Sequence, residues 1–382
     1  MAAQLITGGR VATPNGVLDP GWLLIENGLI SALGEGPPPE RPDATTTDAS
    51  GSWVVPGFVD IHCHGGGGAA FTSASQVRQA VDAHTAHGTT TMLASLVTRP
   101  VPELVEQVAA LADLVADGLV AGIHLEGPFL SAARCGAHDP GLLRPPDPVS
   151  VDALLAAGRG TIRMVTVAPE LEGAVPAVKR LVDAGVIAAI GHTDALADDV
   201  VPAVDAGATV ATHLFNGMRP LHHREPGPIG VLLDDERVTV ELICDLVHLH
   251  PTIVRLAARH AGTGRTVVIT DAIAAAAAGD GTYDIGGLEV DVTNGVPTLA
   301  GGDSLAGSTL TMDLAFRNLV KSCGLGVLDA VVAAATRPAE LLGLGDVTGR
   351  LAAGFAADVV LLDDALGPVS VMRRGEWVPS VS

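Results

Sequence analysis

Lysine is almost missing from this 382-residue sequence: Lys179 and Lys321 are the only two, and arginine raises the basic total to just 22 against 43 acidic residues. The formal net charge of -21 argues against nucleic acid and anionic membrane surfaces as partners, because the mean field of the chain repels polyanions. A small anionic ligand would need a local cationic pocket. Cysteine is scarce as well. Cys63, Cys135, Cys244 and Cys323 fall at irregular spacings that make neither a disulfide framework nor a CxxC metal knuckle, so a reduced, cytoplasmic location is expected. No apolar run reaches helix-spanning length without a charge, glycine or proline interrupting it, and the opening MAAQLITGGRVATPNG lacks the basic and apolar regions of a signal peptide. Aromatic residues make up only 3%, which leaves the core to Val, Leu, Ile and Ala.

What is present is apolar and regular. Hydrophobic residues reach 48%, enough for a large core. From Phe58 onward, short β-branched runs alternate with amphipathic stretches, the pattern of a parallel βα sheet. Eight strands are expected, at Phe58–His62, Thr89–Ala94, Val120–His124, Ile162–Val167, Val186–Ile190, Thr209–His213, Val238–Ile243 and Val267–Thr270. Helical periodicity covers Ser75–His87, Pro102–Asp117, Ala174–Ala184 and Pro251–Ala261, with Gly88, Gly118, Gly185 and Gly262 as left-handed stops. Eight strands make a (β/α)8 TIM-type barrel, which needs roughly 250 residues and leaves roughly 130 over. The expected division is a barrel over 56–345 and a small β-sandwich domain from both termini, 1–55 plus 346–382, with turns at Asn15-Gly16 and Asn27-Gly28. Hairpin signals mark an insertion between Asp271 and Ser308, where Asn294-Gly295 is a turn and Ala274–Ala278 reads as low-complexity filler.

In such a barrel the site lies at the C-terminal ends of the strands. Here those ends are polar: His62-Cys63-His64 after strand one, His124-Leu125-Glu126 after strand three, Gly191-His192 after strand five, Thr212-His213 after strand six and Thr270-Asp271 after strand eight. His62 and His64 share one face of their strand, since alternate residues point the same way. A lone strand-end histidine is commonly a structural residue. Imidazoles and carboxylates supplied by several independent strand ends are instead the ligand set of a borderline divalent metal such as Zn2+. His124 sits deeper and is read as a supporting residue, and His84, His87 and His260 as helix surface or packing residues.

The segments PGFVDIHCHG (Pro56–Gly65), HLEGPF (His124–Phe129), GHT (Gly191–Thr193), THLFNGM (Thr212–Met218), REPG (Arg224–Gly227), DLVH (Asp245–His248), TDA (Thr270–Ala272), LAGS (Leu305–Ser308) and GxLxxGxxADVVLLD (Gly349–Asp363) run in this order over nearly the whole chain. Together they resemble the N-acetylglucosamine-6-phosphate deacetylases of the amidohydrolase superfamily. The first and last are similar to the superfamily at large, whereas HLEGPF, THLFNGM and REPG resemble the deacetylases in particular. Gly217 stands where many of these carry Ala, and Leu246 where Gly is common.

The resemblance implies that Glu126, His192 and His213 hold one divalent ion, and that His62 and His64, with Glu126 or Asp271, hold a second. Zn2+ is the expected ion, with Fe2+, Mn2+, Co2+ or Cd2+ as alternatives and one or two ions per subunit. Neither lysine falls at a strand end, so Glu126 replaces the carboxylated lysine of other amidohydrolases as the bridge. Asp271 is expected to act as acid and base besides serving as a ligand, and His138, on the loop Phe129–Arg144, to polarise the carbonyl. Asn216 and Gly217 would hold the sugar hydroxyls and phosphate, His248 would be a second contact near the phosphate, and Arg224 would pair with the phosphate itself, reaching the neighbouring active site of a homodimer. A salt bridge to Glu225 or to Asp234–Glu236 is the alternative for Arg224. Rival readings are another amidohydrolase, such as an N-acyl-amino-acid deacylase, and a catalytically inactive barrel scaffold.

Overall fold

The computed structural model describes residues 3–379. Eight parallel strands follow one another in chain order across one sheet: Phe58–Asp60, Thr89–Val97, Gly122–Glu126, Ile162–Val167, Ile187–Ile190, Val210–Ala211, Thr239–Ile243 and Thr266–Ile269. Each overlaps a run expected from the sequence. Every residue of the third, seventh and eighth strands is buried, which is why these segments read as continuous rather than alternating apolar runs. Helices Ala74–Ala86, Val101–Ala116, Ala174–Asp183 and Pro251–Ala261 fall where periodicity places them, and Gly88, Gly118, Gly185 and Gly262 follow at φ of 89°, 74°, 74° and 71°.

The sheet closes into a TIM-type barrel through the residues that prolong its first and last strands. The Asp271 N–H donates to the His62 carbonyl at 2.8 Å, the His64 N–H donates to the Ala272 carbonyl at 2.7 Å, and Cys63 pairs with Ala272 in parallel. The backbone that completes the barrel is thus the backbone that carries three of the candidate ligands.

The chain forms two compact units. One contains the N-terminal stretch ending at Asp60, His84–Thr91 and the chain from Thr311 on. Its second sheet has eight strands drawn from both ends of the chain, five between Gln4 and Pro56 and three between Val359 and Trp377, over a core that includes Ile6, Leu23, Ile25, Val359 and Met372. The other unit, Ile61–Ala83 and Met92–Leu310, holds all the candidate site residues. It also holds the insertion, a three-stranded antiparallel sheet (Gly281–Ile285, Leu288–Thr293, Val296–Leu299) turning at Asn294 and Gly295 with φ of 53° and 74°, the doubly left-handed geometry that Asn-Gly favours. The alanine run inside it is packed structure rather than filler. Ala274, Ala275 and Ala276 are buried, and the carbonyls of Ala274 and Ala276 accept hydrogen bonds from the Gly68 and Gly67 N–H groups. Composition alone hides this, because small side chains permit the close backbone approach without advertising it. Among the described residues no helix is long and apolar enough to cross a membrane.

Candidate metal centre and active site

The strand ends bring their polar side chains to one point. Glu126, on the last residue of the third strand, is the hub. Its Oε1 lies 2.8 Å from His213 Nε2 and 3.1 Å from His192 Nε2, and its Oε2 lies 3.0 Å from His64 Nε2 and 3.5 Å from His62 Nε2. Asp271 Oδ1 completes the second side, 3.2 Å from His64 and 3.4 Å from His62. Two groups result, His62, His64, Glu126 and Asp271 in one and Glu126, His192 and His213 in the other, all buried and with ligand atoms within 4.8 Å of one another inside each.

The donor set has the chemistry of a cation site. The Nε2 atoms of His62 and His64 face each other at 3.1 Å, and so do those of His192 and His213. Convergent imidazole nitrogens interleaved with carboxylate oxygens are what a divalent ion of borderline softness prefers, and a buried set of this kind is costly without positive charge among it.

Supporting contacts fix the rings of His62, His64 and His192. His192 Nδ1 faces the Arg134 carbonyl at 2.8 Å, and His64 Nδ1 faces the Ser95 carbonyl at 3.2 Å; an acceptor-only partner puts the proton on Nδ1 and leaves Nε2 free to ligate. His62 Nδ1 faces Glu241 Oε2 at 3.2 Å, and the same oxygen accepts from the His213 backbone N–H. Glu241 is fully buried in the seventh strand and escaped the sequence reading. Its signal was a carboxylate inside an otherwise apolar strand, which must be paired. His124 bonds Ser95 and Thr166 outside both groups. His84 is buried, while His87 pairs with Asp313 and His260 with Asp234.

Charge follows from these distances. Burial pulls the His62 imidazole down, but Glu126 and Asp271 outweigh it and hold its pKa well above the ordinary value. Burial likewise opposes protonation of His64, and its hydrogen bonds to Asp271 and Glu126 lift it to about 9. Burial raises Asp271, against which His62 and His64 hold it at about 2. His138 differs: burial dominates and brings it down to about 4. His192, His213 and Asp271 have φ of 45°, 28° and 50°, so three strand ends bend through the left-handed region, a geometry costing about 1–3 kcal/mol each that tends to gather at functional sites.

A cavity of about 220 Å3 opens above this floor, lined by His64, Glu126, His138, His192, His213, Asn216, Gly217, His248 and Asp271 among others. His138 Nε2 lies 3.5 Å from Glu126 Oε2. His248 is held by Asp245, Nδ1 to Oδ2 at 2.6 Å; burial pulls it down, and this carboxylate raises it above its ordinary pKa. Gly217 has φ 58°, and a Cβ there would sit 2.8 Å from His192 Nδ1, so glycine lets the loop press against the ring. Leu246 occupies the left-handed region at φ 66°, which accounts for the glycine expected there and imposes a cost of roughly 1–2 kcal/mol on leucine. His62 lies buried beneath the cavity with the other candidate ligands, whereas Arg224 is brought neither to its lining nor to the ligand cluster. It is exposed on the turn His222–Glu225 and its Nη1 touches only His223 Nε2, at 3.0 Å, with no ion pair to Glu225 or Asp234–Glu236. Arg219 and Arg134 instead both bind Asp194, tying together the loops after strands three, five and six.

A profile of the amidohydrolase family matches residues 53–378. The chain is 36% identical over 373 residues to an N-acetylgalactosamine-6-phosphate deacetylase of Escherichia coli O157:H7, covering 96% of this chain and 97% of that protein. It is 33% identical over 382 residues to an N-acetylglucosamine-6-phosphate deacetylase of Bacillus subtilis (strain 168), covering 97% and 96%. Among solved structures, an Asp→Ala variant of N-acetyl-D-glucosamine-6-phosphate deacetylase from Mycobacterium smegmatis, in complex with N-acetyl-D-glucosamine-6-phosphate, matches with TM-score 0.95 and 49% identity over 99% of this chain and 100% of that one.

Proposed function

The chain belongs to the amidohydrolase family, and from that premise we propose that it removes the acetyl group of N-acetyl-D-glucosamine 6-phosphate, giving D-glucosamine 6-phosphate and acetate. It is a hydrolase acting on a linear amide, and its family implies a divalent metal. The observation that carries the reading is Glu126, whose two oxygens each face a pair of imidazoles beside Asp271 on the floor of one cavity.

In this reading Glu126, His192 and His213 would hold one ion, and His62, His64 and Asp271, together with Glu126, would hold another. The all-nitrogen-and-oxygen set suits Zn2+, with Fe2+, Mn2+, Co2+ or Cd2+ as substitutes. A divalent cation there would supply Lewis acidity, bringing the pKa of water down towards about 7. Asp271, kept ionised near neutrality, takes one proton from the attacking water and passes it to the amide nitrogen as the C–N bond breaks, so oxygen ends on acetate and the proton on the amine. His138, neutral and facing Glu126, donates from Nε2 to the carbonyl oxygen. Asn216, Gly217 and His248 orient the sugar.

Arg224 takes the phosphate, and its place outside the cavity supports a homodimer in which it serves the neighbouring subunit's site. The reading also keeps 56–345 as the catalytic barrel and 1–55 with 346–382 as a small β domain. A phosphorylated sugar as substrate and four cysteines that form no disulfide among the described residues support a cytoplasmic setting. The relative that acts on the galactosamine epimer favours a second substrate differing only at C4. Acetate release should be measured from both 6-phosphates, from unphosphorylated N-acetylglucosamine and from an N-acyl amino acid, alongside elemental analysis. A phosphorylated amino sugar should be much the best substrate, with metal bound. Preference for the N-acyl amino acid, or no turnover by the metal-loaded protein, would overturn the proposal.

A further inference from the structure

Five barrel strands deliver an imidazole or carboxylate to the site from their C-terminal ends, but the second strand, Thr89–Val97, delivers none. We propose that Thr98, the residue just beyond it, is a positioning residue that fixes the tautomer of His138, so that Nε2 carries the proton offered to the substrate carbonyl. This rests on the reading of His138 as the carbonyl-polarising group.

The argument is one of donors and acceptors. The Thr98 backbone N–H donates to His138 Nδ1 at 3.3 Å, and the Thr98 hydroxyl oxygen lies 2.9 Å from the same nitrogen. A backbone N–H can only donate, so Nδ1 must present a lone pair. A neutral imidazole whose Nδ1 accepts carries its single proton on Nε2, and that atom faces the cavity floor, 3.5 Å from Glu126. The hydroxyl is the nearer partner, so it donates to Nδ1 and holds the ring in place while the backbone N–H excludes the other tautomer; its alternative acceptor, the Glu126 carbonyl, is farther away at 3.5 Å.

Thr98 is itself held in place. It is 2% exposed. Gly127, at φ 96°, leaves room for its side chain, since a Cβ there would come within 2.2 Å of the Thr98 hydroxyl. On the other side the tip of the inserted hairpin rests on the adjoining residues. Arg99 Nη1 donates to the Gly286 carbonyl at 2.9 Å, and a Cβ on Gly286 would strike Val97 at 2.7 Å. The segment Val97–Arg99 is therefore clamped between the insertion and the turn that follows Glu126, with its N–H aimed at His138.

The test uses the metal-loaded full-length protein with N-acetylglucosamine 6-phosphate, comparing Thr98→Val, Thr98→Ser and His138→Ala. Four readouts are taken: kcat, KM, metal content and the 15N resonances of His138 in histidine-labelled protein. Thr98→Val should lower kcat about 10–100-fold, the usual effect of losing a partner that orients a site ligand, with KM within about twofold and metal content unchanged. Thr98→Ser should recover most of kcat, and wild-type His138 should show the Nε2–H pattern. Wild-type kcat in Thr98→Val while His138→Ala is crippled would overturn the role of Thr98. So would loss of metal together with kcat, failure of serine to rescue, or an Nδ1–H pattern in the wild-type spectrum, which needs no variant to fold. Full turnover by His138→Ala would remove the premise instead, and is distinguishable because His138 itself would then be dispensable.

Discussion

At the floor of the cavity Glu126 has five imidazole nitrogens within 3.5 Å and is 3% exposed, whereas at the rim the Arg224 guanidinium meets His223 and stands in solvent. The floor is determined by its own members: the rings of His62, His64, His138 and His192 each have a fixed partner on the far nitrogen, and the carboxylates set its charge. Among the described residues the Arg224 guanidinium has no carboxylate partner, only His223, itself exposed. Under the proposed function, the groups assigned to bond chemistry are thus preorganised inside one chain, while the arginine assigned to anion recognition would gain its contact only on binding. The energetic reason is that holding a reacting group in place lowers the barrier only if no reorganisation is left to do, whereas an exposed guanidinium can gain its contact on binding.

The largest expected effect is at the floor. Asp271→Asn removes acid and base together, and turnover should fall by about 10²–10⁴-fold with metal content largely retained, measured by steady-state kinetics and elemental analysis. Near-normal turnover would sink the assignment. At the rim, Arg224→Ala should cost about 2–4 kcal/mol in kcat/KM for the phosphorylated sugar and almost nothing for the unphosphorylated one. Mixing Arg224→Ala with Asp271→Asn subunits sharpens the comparison, because one site of a mixed dimer would combine an intact Asp271 with a borrowed Arg224. Recovery above both parents is expected; its absence despite proven subunit exchange would return Arg224 to its own chain or to no role.

Smaller effects follow behind the floor. Glu241→Gln should weaken metal affinity by about 10–100-fold in a chelator competition, with kcat near normal once the metal is restored. Affinity should also rise with pH. His64, lifted to about 9 in the metal-free site, is protonated below that value and must release its proton to ligate, so binding should strengthen by about tenfold per pH unit for each proton displaced, and level off near pH 9. A flat metal-binding profile between pH 6 and 8 would contradict the charge state described for the floor. The smallest effect is expected for Cys135→Ser: Cys135 is half-buried on the loop leading to His138, outside the cavity lining, and most activity should remain. Loss of chemistry with an intact fold would reveal a role for the thiol.

The contrast between floor and rim also explains what the sequence disclosed. His62, His64, Glu126, His192, His213 and Asp271 were legible because a barrel strand has a period of two and a known functional end, so position in the run implies direction. The glycine stops and the Asn294-Gly295 turn were legible because only a few residues tolerate positive φ. Glu241 was not singled out, although a carboxylate inside a buried strand is a signal that could have found it. Thr98 carries no such mark, since threonine is common in strands and nothing in the local sequence shows that its hydroxyl and backbone N–H meet a histidine forty residues away. The alanine run misled for the opposite reason, as low complexity in composition proved compatible with close packing.

Closure of the barrel on the backbone of His62, His64 and Asp271 has a mechanical consequence. A cation gripped by those side chains rivets the first strand to the last, so loading the site and completing the barrel become linked equilibria. At a free ion concentration a hundred times Kd the closed form gains about 2.7 kcal/mol, acting where the cylinder would otherwise unzip. A chelator then acts on this fold as a denaturant aimed at one seam. Amide exchange would quicken first at Asp271 and His64, whose N–H groups are the stitches, well before the remaining strand pairs give way.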